Sequence, residues 1–283
     1  MHKFSSLFIG AFLSSITVLH AEAPLWNSNL YHKHHAPQLA TANKLLEDVL
    51  IPKDATILDV GCGTGDITAY LASLAPFGTT LGVDASEDMI YFAQNTYFSN
   101  PNLFFKQLDA RNLSLKGYQF DYVFSLNCLH WIDDIPTVIR GIAHILKPGG
   151  YFIATLAHKN HFLYEHVKNI AQLPEWAHYF KDAAQEPWYA HTSESFTVVL
   201  IEAGITPLAV TTWYKQNNFK NKQAFKKFIE GWIPAIPHMQ QLPAELQDSF
   251  MNSLVEQFLN TCTFQEDGSF SFIAPVLLVK AQK

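Results

Sequence analysis

The chain has 283 residues but only three cysteines, Cys62, Cys128 and Cys262, and no two of them form a CxxC pair. That excludes a zinc ribbon and a thioredoxin-type redox motif. Three scattered thiols do not make a disulfide scaffold and fit a reduced protein. Charge is also scarce: Asp, Glu, Lys and Arg together make 16% of the residues, against 48% hydrophobic and 14% aromatic. A disordered chain has the opposite balance. The formal net charge is −6 and there is no long basic run, so no nucleic-acid partner is expected. The densest basic stretch, Lys215 to Lys227, is interrupted by Asn, Gln and Phe and reads as a solvated helix face. No Gly-Lys-Ser/Thr triplet marks a P-loop, and no repeat or low-complexity tract is present. No apolar run reaches the roughly 20 residues of a confident membrane span.

The first residues pull against the reduced-thiol reading. Lys3 precedes an apolar run from Phe4 to Leu19, followed by His20-Ala21-Glu22-Ala23. A positive start, a short apolar core and small residues at a cut site read as a secretory signal, with cleavage after Ala21 favoured over cleavage before Pro24. An uncleaved anchor, the only expected membrane contact, or a mistaken start codon are the alternatives. Export to a periplasm or medium follows if the leader is real; a cytoplasmic location follows otherwise.

What is present is a strand–helix alternation. Leu39, Ala42, Leu45, Leu46, Val49 and Leu50 recur at helical spacing from Pro37 onward. The runs Ala55–Val60, Thr79–Val83, Leu103–Leu108, Tyr122–Leu126 and Tyr151–Leu156 read as buried strands, with helices between them. Spacings of this kind suit right-handed βαβ crossovers and a parallel sheet, which binds ligands at the carboxyl ends of its strands. Beyond residue 157 the rhythm changes. Leu208–Tyr214 and Ser271–Val279 read as an antiparallel edge pair, with helical inserts capping the sheet. The expected fold is α/β: a Rossmann-like, seven-stranded, mostly parallel sheet with an antiparallel edge hairpin and helical caps. The chain divides into a leader (1–23), an N-terminal lid and helix (24–54), a nucleotide-binding core (55–157), and cap inserts with the last two strands of the same domain (158–283).

Asp59-Val60-Gly61-Cys62-Gly63-Thr64-Gly65 carries the strongest chemical signal. Glycines let a backbone approach a ligand closely, and the following helix presents unpaired N–H groups. Asp84, at the end of the second strand, is placed to accept both hydroxyls of a ribose. The spacing G-x-G-x-G departs from the dinucleotide fingerprint G-x-G-x-x-G. A carboxylate just before the loop would repel a pyrophosphate but welcome a ligand carrying an amino group and a sulfonium centre.

The ordered set ILDVGCGTGDIT, LGVDASEDM, LDARNL, FDYVFSLNCLHWI and LKPGGYFIATL resembles the motif series of class I S-adenosylmethionine (SAM)-dependent methyltransferases. The resemblance implies SAM as cofactor. The loop Asp59, Gly61, Cys62, Gly63 and Gly65 would hold its methionine part, Asp84 the ribose hydroxyls, Asp109 and Ala110 the adenine amino edge, Met89 would pack on the ring, Asn127 would line the donor end, and Ala85 counts among the cofactor-binding residues. Leu30-Tyr31-His32-Lys33, Gln38 and Cys128-Leu129-His130-Trp131 are similar to the small-carboxylate methyltransferases, in particular those acting on juvenile hormone acid and trans-aconitate. In the juvenile hormone acid methyltransferases a Gln and a Trp position the substrate carboxylate, and Gln38 and Trp131 stand at those places.

A carboxylate needs no general base at neutral pH. A hydroxyl or carbon acceptor would need one, with His35, His130 and His158 as candidates. The expected function is methylation of an oxygen of a small carboxylic acid. The rivals are a hydroxyl or carbon methyltransferase and an exported SAM-fold binding protein without turnover. Asn127-Cys128-Leu129-His130 replaces the Asn/Asp-Pro-Pro-Tyr of nucleobase amino methyltransferases. His32 to His35 lack metal-ligand spacing and read as a polar lid, so no metal is expected. The aromatics from 176 to 189 read as core, and Asp133-Asp134 as a helix cap.

Overall fold

The computed structural model describes residues 26–283 except 35, 48, 114, 116, 183, 185, 187, 234 and 235; the leader expectation therefore lies outside the described residues. After the short helix α1 (Ser28–His34) and α2 (Ala36–Leu46), strands and helices alternate: β1 (Thr56–Val60), α3 (Asp66–Leu74), β2 (Thr79–Asp84), α4 (Glu87–Thr96), β3 (Leu103–Gln107), β4 (Phe120–Leu126), α5 (Ile135–Ile145) and β5 (Leu146–Ala157). Then come α6 (Tyr164–Ala171), α7 (Pro174–Ala177), α8 (Ser193–Glu202), β6 (Thr206–Phe219), α9 (Lys222–Glu230), α10 (Pro237–Gln241), α11 (Ala244–Leu259) and β7 (Phe270–Gln282). The sheet order is β3-β2-β1-β4-β5-β7-β6, with the first five strands parallel and β7 antiparallel to both its neighbours.

The pleat sorts the core. Alternate residues of a strand face opposite sides of the sheet. Leu58, Val60 and Val123 pack with Ile135, Ile139 and Ile142 of α5 and Phe196 and Leu200 of α8. Ile57, Tyr122, Phe124 and Leu126 pack with Ala42, Leu45 and Leu46 of α2 and Leu71 of α3. A third cluster, rich in aromatics, joins α6, α7, α9, α10 and α11 into a cap.

Two departures from the sequence reading matter. Pro148-Gly149-Gly150 does not precede the fifth strand but sits within it: Leu146 already pairs with Phe120, Tyr151 pairs with Tyr122, and the turn is looped out between them. Lys147 secures it by an ion pair with Asp121 (2.9 Å). The second departure concerns the hairpin of β6 and β7. Pairing runs from Thr206–Gln282 to Phe219–Phe270, whereas β5 stops at Ala157 opposite Val276. The hairpin therefore overhangs the sheet as a two-stranded arm that reaches the cap. Lys215 to Phe219 belong to this arm, so the solvated-helix reading of Lys215 is corrected: it is a buried strand residue, and only Lys222, Lys226 and Lys227 lie on a helix.

Candidate active site

The carboxyl ends of β1 and β2 are stitched together by the glycine loop. Gly61, Gly63 and Gly65 all have positive φ (76°, 53° and 85°), a region that suits glycine. Gly61 N–H and Cys62 N–H donate to the Val83 carbonyl (2.7 and 3.0 Å). Gly63 N–H donates to Asp84 Oδ2 (2.9 Å) and Ser86 N–H to Asp84 Oδ1 (2.9 Å). The glycines differ in what they make room for. A Cβ on Gly61 would lie 2.1 Å from Cys128 Sγ, so that position serves close packing of β1 against the end of β4. A Cβ on Gly63 would meet only the Tyr31 ring, at 3.7 Å, so Gly63 faces open space.

Behind the loop, Asp59 is buried and accepts a hydrogen bond from Thr68 Oγ1 (2.7 Å). Burial pushes its carboxyl up to about 7; the Thr68 hydroxyl opposes this and the charge of Asp84 adds to it. Burial likewise raises Asp84, against the N–H donors of Ser86 and Gly63. Two carboxylates held up in this way favour a cationic or hydroxyl-rich guest.

A cavity of about 1090 Å³, open mouth included, runs from this loop to the cap. Gly61, Gly63, Asp84, Met89 and Asn127 line one end. Phe162, Trp188, Phe228 and Trp232 line the other, and Lys215 and Asn217 of the overhanging arm complete its wall. Trp131 stands between, edge-on to Trp26 at 5.2 Å and 6.4–6.5 Å from Trp188 and Trp232. Helix α1 packs on both α4 and α9 and carries Tyr31 into the cavity, with Ser28 N–H on Asp88 Oδ2 (2.7 Å) and His32 on Asp66 (3.2 Å). Asn127 has φ 58°, the one non-glycine positive value among the described residues. Its N–H is tied to Thr155 Oγ1 (3.0 Å), which fixes the turn after β4.

The structure thus gathers Gly61, Gly63, Asp84, Met89, Asn127 and Trp131 in one cavity. Asp59, Cys62 and Gly65 lie behind its wall; a Cβ on Gly65 would strike Phe105 and Ala93. Ala85, Asp109 and Ala110 are not among the lining residues. Asp109 caps the turn Ala110–Asn112 and is gripped by Arg111, whose Nη2 donates at 2.6 Å while Nη1 reaches Asp133 at 3.0 Å. Arg111 went unnoticed in the sequence. Asp134, not Asp133, caps α5 by accepting from Thr137 N–H (3.1 Å). The aromatics from 176 to 189 divide: Trp176 and Phe180 are core, whereas Trp188 is buried and also lines the cavity. Gln38 lies on α2, with its side chain outside the described residues, and His35 is outside them altogether. Tyr31, Thr41, His161, Lys215 and Asn217 line the cavity without having been singled out by chemistry in the sequence.

The two cavity histidines share a feature. His130 Nδ1 accepts from Ala157 N–H (3.3 Å), and His161 Nδ1 accepts from Leu163 N–H (3.4 Å). Each ring therefore carries its proton on Nε2. Burial lowers His130 to about 3; burial, then His130 and Lys215, lower His161 to about 3. Both are neutral donors at physiological pH and weak bases. His158 is buried outside the cavity lining, with Nδ1 accepting from Asn160 N–H (3.0 Å).

Comparison with known proteins agrees with this geometry. Residues 57–150 match the model of a methyltransferase domain. The chain is 27% identical over 255 residues to putative methyltransferase 235L of Invertebrate iridescent virus 6, covering 89% of this chain and 88% of the relative. It is 27% identical to the trans-aconitate 2-methyltransferase of Escherichia coli O1:K1 / APEC (91% and 98% covered) and 26% identical to the juvenile hormone acid O-methyltransferase of Drosophila melanogaster (80% and 78%). Among solved structures, the YcgJ protein of Bacillus subtilis superposes with a TM-score of 0.59 at 20% identity, over 88% of this chain and 99% of that one, which shows the fold. With the glycine loop, the paired acids and the sheet order in agreement, residues 57–150 form a SAM-dependent methyltransferase domain of the class I fold, and the chain is similar over most of its length to methyltransferases of viral, bacterial and insect origin.

Proposed function

We propose that the chain methylates a carboxylate oxygen of a small, partly apolar carboxylic acid. The observation that carries this reading is the hydrogen bonding of the two cavity histidines: His130 and His161 line the cavity, and each commits its Nδ1 lone pair to a backbone N–H. A hydroxyl or carbon acceptor must lose a proton, and both rings, with Nδ1 engaged by the backbone and the pKa lowered by burial, are poor bases for it. A carboxylate is already ionised and asks only for donors and orientation. The names of the E. coli and Drosophila relatives point the same way.

SAM supplies an activated methyl on a sulfonium sulfur. In this reading Asp84 accepts the ribose hydroxyls, Gly63 leaves room for the methionine part with Gly61 holding the loop against β4, Met89 packs on the adenine and Asn127 lines the donor end. Asp59, with Cys62 and Gly65, supports the loop from behind and contributes negative charge. Asp109 and Ala110 keep their adenine role, and Ala85 its place among the cofactor-binding residues, on the strength of the resemblance. Gln38 and Trp131 aim the acceptor carboxylate, and the aromatic chamber takes its apolar remainder and excludes water. Catalysis is then mainly proximity and orientation, which can be worth ~7–11 kcal/mol.

The test is release of S-adenosylhomocysteine over a panel of carboxylic acids and matched alcohols and phenols. Turnover of acids is expected, with kcat at saturating SAM and acid flat between pH 6 and 8. Gln38→Ala should lower turnover far more than SAM affinity. Methylation of the alcohols alone, or a rate that climbs tenfold per pH unit, would mark a base-dependent acceptor and end the carboxylate reading.

A further inference from the structure

The acceptor half of the cavity is walled by Trp131, Phe162, Trp188, Phe228 and Trp232, a lining suited to a neutral, apolar guest. One ammonium stands among them. Lys215 is 9% exposed, lies on the part of β6 that overhangs β5 and pairs with Ala274, and donates from Nζ to Thr41 Oγ1 (2.8 Å). It is the one lysine or arginine among the described residues that line the cavity, and Asp84, at the far donor end, is the one carboxylate. Because both cavity histidines are neutral, Lys215 is also the only source of full positive charge in that lining.

Its placement is specific. Thr41 lies one helical turn after position 38 on α2, so the two positions share a helix face. The Thr41 hydroxyl therefore holds the Lys215 ammonium beside the stretch of α2 that the resemblance assigns to the acceptor carboxylate. Asn217, two residues along the strand and on the same face, also lines the cavity, and its Nδ2 donates to the Lys215 carbonyl (3.2 Å). A carboxylate that enters an aromatic chamber sheds its water at a net cost unless it meets a counter-charge there.

We propose that Lys215 is the anion-binding residue of the acceptor site: its ammonium pairs with the carboxylate presented for methylation and makes the aromatic chamber selective for acids over their neutral esters and amides. This rests on the carboxylate reading above and adds the residue that enforces it. The ionisable groups around the cavity are Tyr31, Asp84, Cys128, His130, His161 and Lys215. Burial raises Tyr31 and Cys128, which stay protonated, and keeps both histidines neutral, whereas it lowers Lys215 to about 8. A lysine loses its charge as pH rises through its pKa, so acid recognition weakens above pH 8.

The experiment compares the wild-type protein with Lys215→Met and Lys215→Arg at saturating SAM, using an acid that the wild type methylates and the methyl ester of that acid as a neutral competitor. Lys215→Met should raise KM for the acid roughly 10- to 100-fold, the range of a charge-assisted hydrogen bond. SAM affinity should stay within about twofold, and the ester should compete as well as before or better. Lys215→Arg should restore most of the acid affinity. In the wild type KM should climb above pH 8, and in the arginine variant it should not. An unchanged KM in Lys215→Met while the wild type methylates acids overturns the role of Lys215 alone. A wild type that methylates only alcohols overturns the carboxylate reading and Lys215 with it. Should the methionine variant fail to fold, a wild-type KM that stays flat from pH 7 to 10 overturns the assignment.

Discussion

At the scale of single residues, the donor end is set by two acids with different duties. Asp84 spends one lone pair of each oxygen on the N–H groups of Gly63 and Ser86 and keeps others toward the cavity. Asp84→Ala should weaken SAM binding at least tenfold, about 1.4 kcal/mol, when titrated calorimetrically; unchanged affinity would remove Asp84 from the site. Asp59 is the pH-sensitive partner. Its carboxyl, raised by burial to about 7, is protonated below that pH and ionised above it. The ionised form attracts the cationic donor, so SAM affinity should fall by about tenfold from pH 8 to pH 6. The sign for folding is opposite. A raised carboxyl pKa costs stability once the group ionises, so the SAM-free protein should lose stability as pH rises from the ordinary carboxyl range through 7. Asp59→Asn should flatten both profiles, which paired melting and binding series would show. A wild-type affinity that does not vary with pH would deny Asp59 this part.

At the scale of elements, α5 shows how a local signal is read out. Its apolar spacing buries Ile135, Val138, Ile139, Ile142 and Ile145, and the acid before it caps the first turn. Asp134→Ala should cost ~0.5–2 kcal/mol in chemical denaturation and leave SAM affinity unchanged; an equal loss of SAM affinity would tie the cap to the site. The parallel strands and the glycine loop were legible for the same reason, because short apolar runs and positive-φ glycines are local chemistry. The arm was not. Lys215-Gln216-Asn217-Asn218 has no alternation of apolar and polar residues, and only pairing with Ser271 to Ala274, far along the chain, makes it a strand. Lys215 therefore read as surface. Trp188 read as core because burial against other aromatics and exposure to an enclosed cavity leave the same mark in composition. Arg111 escaped because its grip on Asp109 and Asp133 depends on where the loop after β4 returns.

At the scale of the whole molecule, the sheet divides the work. Its parallel part presents the glycine loop, and its antiparallel part grows into an arm that brings Lys215 and Asn217 to the cavity wall beside the cap. One small element touches both halves: α1 packs on α4 beside the donor loop and on α9 of the cap, and Tyr31 enters the cavity from it. A donor and an acceptor seated at the two ends of the cavity would share that wall. Whatever factor a seated donor contributes to the affinity for the acceptor, the acceptor must return to the donor, since the two binding free energies close one cycle. Helix α1 is the wall through which such a factor would act, in both directions alike, before any methyl moves.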